Sequence, residues 1–278
     1  MRPIYGVSTA ILGKYDESII NAVDFAGEKN FDVLEIICEA PEFVPGKVPN
    51  EYLREIRRKA DDYGLRLQLH APFYSINLAS LDPEVNQMSR YILLKTIEAA
   101  VELEAKMITF HLGLCFLPCK LYYEEAMSIL LENVMMLVDY ANEHSIILAA
   151  ENRGGRLDIG RSEDLLYVIN KLGKPKNLGI TFDVVQANVV NDPIEEYLKV
   201  KDFVVNSHIR DAPKGKEALL AVGEGEIDFQ KLVKLFIDNN FYGPYVFEVS
   251  SKERALISRG AFEEIFSNLL LNDDKAVS

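Results

Sequence analysis

Acidic and histidine side chains recur at the carboxyl ends of apolar segments in this chain. An unpaired buried carboxylate is costly, so a Glu or Asp within such a segment indicates a partner or a function. The chain has four histidines, and three of them end or follow an apolar segment. The six residues in these positions are His70, His111, Glu151, Asp183, His208 and Glu248.

The side chains in this set are metal ligands by type. Three carboxylates and one imidazole form an oxygen-rich site that suits Mn²⁺, Mg²⁺, Co²⁺ or Zn²⁺. His70 and His111 would hold a second, nitrogen-richer site that shares Glu151, or would bind substrate hydroxyl groups. Clustered carboxylates repel one another and need a cation. The predicted ligands of the first site are Glu151, Asp183, His208 and Glu248.

These residues need a fold that brings strand ends together. Short apolar segments alternate with helix-length amphipathic segments, as in a sheet of parallel strands buried on both faces. Eight such units in 278 residues predict a (β/α)8 TIM barrel, in which functional groups converge at one mouth. The predicted strands are Ile4–Ser8, Val33–Cys38, Leu65–His70, Met107–Gly113, Ile146–Asn152, Leu178–Val185, Val204–Asp211 and Tyr245–Ser250.

The alternative is an open, doubly wound α/β sheet. That fold usually has a glycine-rich turn after its first strand, and the segment after Ser8 does not fit one. No linker, low-complexity segment or change of composition divides the chain. We therefore predict a single barrel domain over residues 1–278.

Composition limits the partners and the location. The net charge is −13 and no basic run is present, which argues against nucleic acid as the partner. Three scattered cysteines do not resemble a disulfide framework. The sequence has no signal-peptide pattern and no apolar stretch long enough to span a membrane. We expect a cytoplasmic protein, and the oligomeric state stays open.

Several polar residues near the predicted mouth have two interpretations each. Arg153 would bind an anionic substrate or pair with a carboxylate, and Lys214 would meet a phosphate or face solvent. Glu35 would point into the mouth or pair with a cation. Asp211 would orient His208 or face solvent.

The chain resembles the xylose isomerase-like barrel superfamily, which contains sugar isomerases, sugar epimerases and type IV apurinic endonucleases. The resemblance spans roughly residues 65–250. Its motifs lie at residues 69–73 (LHAPF), 76–80 (INLAS), 110–113 (FHLG), 151–153 (ENR), 182–183 (FD), 207–211 (SHIRD), 223–229 (GEGEIDF) and 247–248 (FE).

The resemblance implies roles for particular residues. In the epimerases the four ligands bind one divalent metal, and the two glutamates, here Glu151 and Glu248, transfer protons on opposite faces of the substrate. Epimerases of free ketoses often have a substrate-binding His where Gln186 stands, and an Arg near Lys214. The endonucleases use three metals, and the ligands of their third metal are replaced here by Gln186, Glu217 and Leu219.

We expect a divalent-metal-dependent isomerase or epimerase of a sugar, sugar phosphate or polyol. Glu151 or Glu248 would remove the proton next to the substrate carbonyl and the other would return it, through an enediolate stabilised by the metal. Two alternatives stay open at this point. One is a two-metal phosphodiesterase related to the type IV endonucleases, and the other is a non-catalytic metal-binding protein.

Overall fold

The computed structural model describes residues 2–13 and 17–276. Its main sheet is a closed barrel of eight parallel strands. Gly113–Leu114 and Asp158–Ile159 pair with each other to form a separate two-stranded antiparallel ribbon. The strands are β1 (Tyr5–Ser8), β2 (Val33–Ile37), β3 (Arg66–His70), β4 (Met107–Phe110), β5 (Gly113–Leu114), β6 (Ile147–Glu151), β7 (Asp158–Ile159), β8 (Leu178–Asp183), β9 (Val204–Ile209) and β10 (Tyr245–Phe247).

The barrel predicted from the sequence is confirmed. Its strands follow the order β1-β10-β9-β8-β6-β4-β3-β2, so each strand pairs with the next barrel strand along the chain and β10 closes onto β1. Each predicted segment contains one of these strands, but the strands are shorter. The fourth ends at Phe110 instead of Gly113, because the chain beyond it turns to form the ribbon of β5 and β7.

Helices surround the barrel and follow its strands. Asp82 and Asp228 cap two of them by accepting hydrogen bonds from backbone N–H groups of the first turn, and Gly64 ends another in the left-handed region. The helices are α1 (Ile19–Glu28), α2 (Asn50–Tyr63), α3 (Pro83–Glu102), α4 (Leu117–Leu121), α5 (Tyr123–Glu143), α6 (Ser162–Lys171), α7 (Val184–Val190), α8 (Pro193–Val200), α9 (Phe229–Asp238) and α10 (Lys252–Ala276).

The apolar core lies between the barrel and its helices. Tyr245 and Phe247 of β10 face Phe262 of α10, with ring centroids 4.9 and 5.9 Å away, and all three rings are buried. Buried aromatic rings contribute large apolar areas, so this contact stabilises the closure of the barrel at β10. In the described ranges, no helix combines the length and the apolar character that a membrane span requires.

Candidate metal and active site

The inside of the barrel contains a buried layer of hydrogen-bonded polar side chains. Oγ1 of Thr109 lies 2.9 Å from Oγ1 of Thr181, and Asn206 donates to both hydroxyl groups over 3.3 Å. Gln68 donates to the Glu35 carboxylate over 2.7 Å. This polar layer consists of Glu35, Gln68, Thr109, Thr181 and Asn206, which come from β2, β3, β4, β8 and β9.

Four of the predicted ligands, His70, His111, Asp183 and His208, lie two residues beyond members of this polar layer. Side chains alternate across a strand, so a residue two positions beyond an inward-facing one also faces inward. Gln68 is thus followed by His70, Thr109 by His111 and Asn206 by His208. His111 and Glu248 stand one residue beyond the ends of β4 and β10. The six predicted ligands therefore form a second layer nearer the mouth.

His208 is the centre of this second layer. Its Nδ1 atom lies 3.7 Å from Oε1 of Glu151, 3.9 Å from Oδ2 of Asp183 and 3.8 Å from Oε2 of Glu248. The side chain is 0% exposed, and Nδ1 makes no hydrogen bond to the described residues. A buried nitrogen without a partner needs an explanation. Three carboxylate oxygens lie within 3.9 Å of Nδ1, so four potential ligand atoms are close together.

Glu151 also meets the other two predicted histidines. Its Oε2 atom lies 2.9 Å from Nε2 of His70 and 2.8 Å from Nε2 of His111. The Phe73 ring lies beside both imidazoles, with centroids 5.2 Å from each. Glu151 is thereby fixed at one oxygen, and its other oxygen, Oε1, faces His208.

Two arginines balance part of the acidic charge. Arg210 donates from Nη2 to Oδ2 of Asp183 over 2.6 Å, and its Nε lies 3.5 Å from Oε2 of Glu248. Nη1 of Arg153 lies 3.5 Å from Oε1 of Glu151. Nε of each arginine is buried without a hydrogen-bond partner among the described residues. Arg210 thus contacts the same two oxygens that face His208 from Asp183 and Glu248.

The buried charges shift one another's pKa values. Burial opposes the charged form of His208, but the carboxylates of Glu35, Glu248 and Glu151 raise its pKa well above the ordinary value. Burial likewise opposes ionisation of Glu151, yet the nearby charges of His111 and His208, together with the hydrogen bond from His111, hold its pKa well below the usual range. Glu151 is therefore ionised near neutral pH.

The other two histidines shift in opposite directions. Burial would lower the pKa of His70, but the hydrogen bond to Glu151 and its negative charge outweigh that and raise it. For His111 burial dominates and lowers the pKa, even though Glu151 acts in the opposite sense. Only a neutral imidazole has a lone pair for a ligand, and the pKa of His111 is shifted toward that form.

These donors fit a divalent cation. One group of atoms that lie within 4.8 Å of one another comes from Asp183, His208 and Glu248, and a second comes from His70, Glu151 and His208. Carboxylate and imidazole donors suit Mn²⁺, Mg²⁺, Co²⁺ and Zn²⁺. The unpartnered Nδ1 of His208 is the observation that supports the fit. The identity of the metal stays a prediction.

The predicted substrate residues lie at different distances from this cluster. Arg153 is beside Glu151 and also near Asp158, over 3.5 Å. Gln186 is buried, accepts from Gly154 N over 2.9 Å and donates to Oε1 of Glu217 over 2.8 Å. Lys214 is exposed and lines an outer groove with Asn188 and Lys231. A role in substrate binding stays a prediction for all three.

Sequence reasoning assigned no role to Arg210 and left two interpretations for Glu35. Arg210 stands two residues after His208, so strand alternation already predicts that it faces the same interior. Glu35 pairs with the imidazole of His208, since its Oε1 lies 2.9 Å from Nε2 of that ring.

Neither interpretation of Asp211 is correct. It is buried, and it accepts hydrogen bonds from the backbone N–H groups of Gly223, Gly225 and Ile227 instead of orienting His208.

The closed barrel of parallel strands, surrounded by helices, is a TIM barrel. Its acidic and imidazole side chains lie at the carboxyl ends of the strands, which is the face where TIM-barrel enzymes have their active sites. The sequence profile described as "Xylose isomerase-like TIM barrel" matches residues 23–265. The chain belongs to this family.

Three similar proteins illustrate the relationship. An uncharacterized protein of Methanocaldococcus jannaschii is 28% identical over 264 residues, which are 94% of this chain and 88% of that protein. A solved structure of a D-tagatose 3-epimerase-like protein has a TM-score of 0.85 and 27% identity, covering 99% of this chain and 100% of its own. An L-ribulose 3-epimerase has a TM-score of 0.82 at 14% identity, covering 100% and 99%, and supports the fold alone.

Proposed function

We propose that the protein is a divalent-metal-dependent isomerase or epimerase of a sugar, a sugar phosphate or a related polyol. The observation that carries this proposal is the approach of oxygens from Glu151, Asp183 and Glu248 to the unpartnered Nδ1 of His208 at 3.7–3.9 Å. Similarity to a D-tagatose 3-epimerase-like protein supports the same class of reaction. When bound, the cation would polarise a substrate carbonyl and offset negative charge on its oxygen.

Glu151 and Glu248 are the groups to which we assign proton transfer. They come from β6 and from the end of β10, which are separated around the barrel by β8 and β9, and both face His208. One ionised carboxylate removes the proton from the carbon next to the carbonyl. The other, as the carboxylic acid, returns a proton to the opposite face of that carbon or to the neighbouring carbon. The two groups thereby exchange protonation states, and proton exchange with water restores them, so the overall reaction neither gains nor loses a proton.

The neighbouring residues hold this pair in position. His70 and His111 both contact Oε2 of Glu151, which leaves Oε1 directed toward the centre of the site. Arg210 holds Asp183 through a 2.6 Å hydrogen bond and lies beside Glu248. Arg153, Gln186 and Lys214 stay the proposed contacts to substrate groups further from the metal.

The test is solvent exchange at the reacting carbon. Protein loaded with Mn²⁺ is incubated in D₂O with ketoses and their phosphates, and deuterium incorporation next to the carbonyl is followed by NMR. We expect incorporation by the wild type and a loss of about 10²–10⁴-fold in Glu151→Gln and Glu248→Gln. Elemental mass spectrometry on the same samples measures metal per chain, and Glu263→Gln on α10 is the matched carboxylate control.

Two results would overturn the proposal. Metal-loaded protein that exchanges no proton with any of these substrates contradicts the isomerase or epimerase assignment. Cleavage of abasic-site DNA by the same preparation supports the phosphodiesterase alternative, for which the contacts of His70 and His111 with Glu151 are the favouring observation.

A further inference from the structure

We infer that Glu35 is a positioning residue that fixes the His208 imidazole so that Nδ1, and not Nε2, is presented to the carboxylates of the site. The inference rests on the proposed metal site and concerns a residue outside the set of predicted ligands. Glu35 lies on β2 and approaches Nε2 of His208, whereas Glu151, Asp183 and Glu248 approach Nδ1.

The two ring nitrogens of His208 have different surroundings. Nε2 lies 2.9 Å from Oε1 of Glu35, whereas Nδ1 lies 3.7–3.9 Å from three other carboxylates. This close contact is an ion pair and not a well-aligned hydrogen bond, because neither Nε2 of His208 nor Oε1 of Glu35 has a hydrogen-bond partner in the described part of the chain. Both side chains are 0% exposed, so water does not compete from bulk solvent.

Glu35 is itself held by the polar layer. Its Oε2 atom accepts from Nε2 of Gln68 over 2.7 Å, from Oγ1 of Thr109 over 3.3 Å and from Nδ2 of Asn206 over 3.4 Å. These donors come from three strands of the barrel. The oxygen that faces His208 is therefore placed by the barrel wall and not by a mobile loop.

A fixed carboxylate beside one ring nitrogen decides which nitrogen keeps the proton. A metal ligand must be a neutral imidazole, with one N–H donor and one lone pair, so a metal would replace one of the two ring protons of His208, and the carboxylate next to Nε2 favours keeping the proton there. The lone pair is then on Nδ1, where the other carboxylates converge. Such a partner also makes the ligand nitrogen more basic, and its loss typically weakens metal binding about 10–100-fold.

The first test measures metal affinity. EDTA-treated full-length protein is titrated calorimetrically with Mn²⁺, and we expect Glu35→Gln to raise the Kd about 10–100-fold. Thr181→Val is the matched control, because it removes a hydroxyl from the same polar layer without contacting Glu35 or His208. An unchanged Kd in Glu35→Gln, or an equal increase in Thr181→Val, would overturn the inference.

The second test needs no variant of Glu35 and remains valid if Glu35→Gln does not fold. The chain has four histidines, so ¹⁵N-histidine NMR of the Zn²⁺-loaded wild type resolves few signals, and His208→Gln identifies the one from His208. We expect a proton on Nε2 and metal coordination at Nδ1. The reverse assignment would overturn the inference.

These outcomes are separate from those of the proposed function. Metal bound through Nδ1 and weakened by Glu35→Gln, without any proton exchange on sugars, supports the inference and contradicts the proposed reaction. If the wild type exchanges protons on sugars and Glu35→Gln leaves the Kd for Mn²⁺ unchanged, the proposed reaction is supported and the inference is contradicted. Failure of the wild type to bind any divalent metal would overturn both.

Discussion

At the scale of the residue, burial and neighbouring charges together set the pKa values of the side chains in the candidate site. His208 and Glu151 are both buried and carry opposite pKa shifts, because the carboxylate of Glu35 lies closest to His208 and the imidazole of His111 lies closest to Glu151. Arg210, which is 6% exposed, has a raised pKa since Asp183 and Glu248 outweigh the effect of burial. The candidate site is thus a set of charges that keep one another ionised.

The cysteines allow a prediction at the same scale. Burial, together with Cys115, raises the pKa of Cys119 to about 12, and burial raises the pKa of Cys38 well above its ordinary value. A thiol with a pKa of about 12 is ionised at pH 8 in roughly one molecule in 10⁴, and the thiolate is the reactive form. Cys115 is partly exposed.

We expect iodoacetamide at pH 8 to modify Cys115 in the native protein and to leave Cys38 and Cys119 unmodified, as measured by peptide mass spectrometry. The control is the unfolded protein, in which all three must react. Modification of native Cys38 at the rate of Cys115 would contradict the structure around it.

At the scale of the element, the connection after β9 is organised by one buried carboxylate. Asp211 accepts from the N–H groups of Gly223 and Gly225 over 2.9 Å and of Ile227 over 3.2 Å. Gly225 fits because a Cβ there would collide with Oδ1 of Asp211. The acidic segment of residues 223–226 (GEGE) is therefore a turn that leads into α9.

We expect Asp211→Ala to lower the free energy of unfolding by about 3 kcal/mol, since several buried N–H groups lose a charged acceptor. Urea unfolding followed by circular dichroism measures the change. Asp238→Asn, at the exposed end of α9, is the control and should change the free energy of unfolding by less than about 0.5 kcal/mol. A loss no larger than that in Asp211→Ala would contradict the assigned role.

At the scale of the whole molecule, the barrel collects carboxylates from strands that are distant in sequence. Glu35, Glu151, Asp183 and Glu248 come from β2, β6, β8 and the end of β10, and all of them lie around His208. In the metal-free protein Arg210 compensates two of these groups. A bound divalent cation would share that task.

This balance predicts a metal-linked stability. We expect Arg210→Met to lower the free energy of unfolding of metal-free protein by about 3–5 kcal/mol, because buried carboxylates lose their partner. Saturating Mn²⁺ should restore part of the loss, and Arg210→Lys, which keeps a charge, should lose less. Thermal unfolding with and without Mn²⁺ measures both, and an equal loss in the two conditions would contradict the proposed sharing of charge.

Much of the fold could be predicted because its signals are local. Buried parallel strands must be apolar along their length, and amphipathic helices must follow them, so the barrel and its strands could be recognised from Ile4 to Ser250. These local signals did not fix where each strand ends, since both Phe110 and Gly113 are compatible with the end of the fourth strand. The short ribbon of β5 and β7 has no local signal at all.

The sequence alone determined which residue types reach the mouth, because the carboxylates and imidazoles of the predicted strands are the six predicted ligands, Glu35 and Asp211. The tertiary structure decided their partners. It placed Glu35 beside Nε2 of His208, gave Asp211 to the turn before α9 and put Arg210 beside Asp183. The physical reason is that strand periodicity fixes the direction of each side chain, while pairing depends on the closure of the barrel, which brings together strands far apart in the chain.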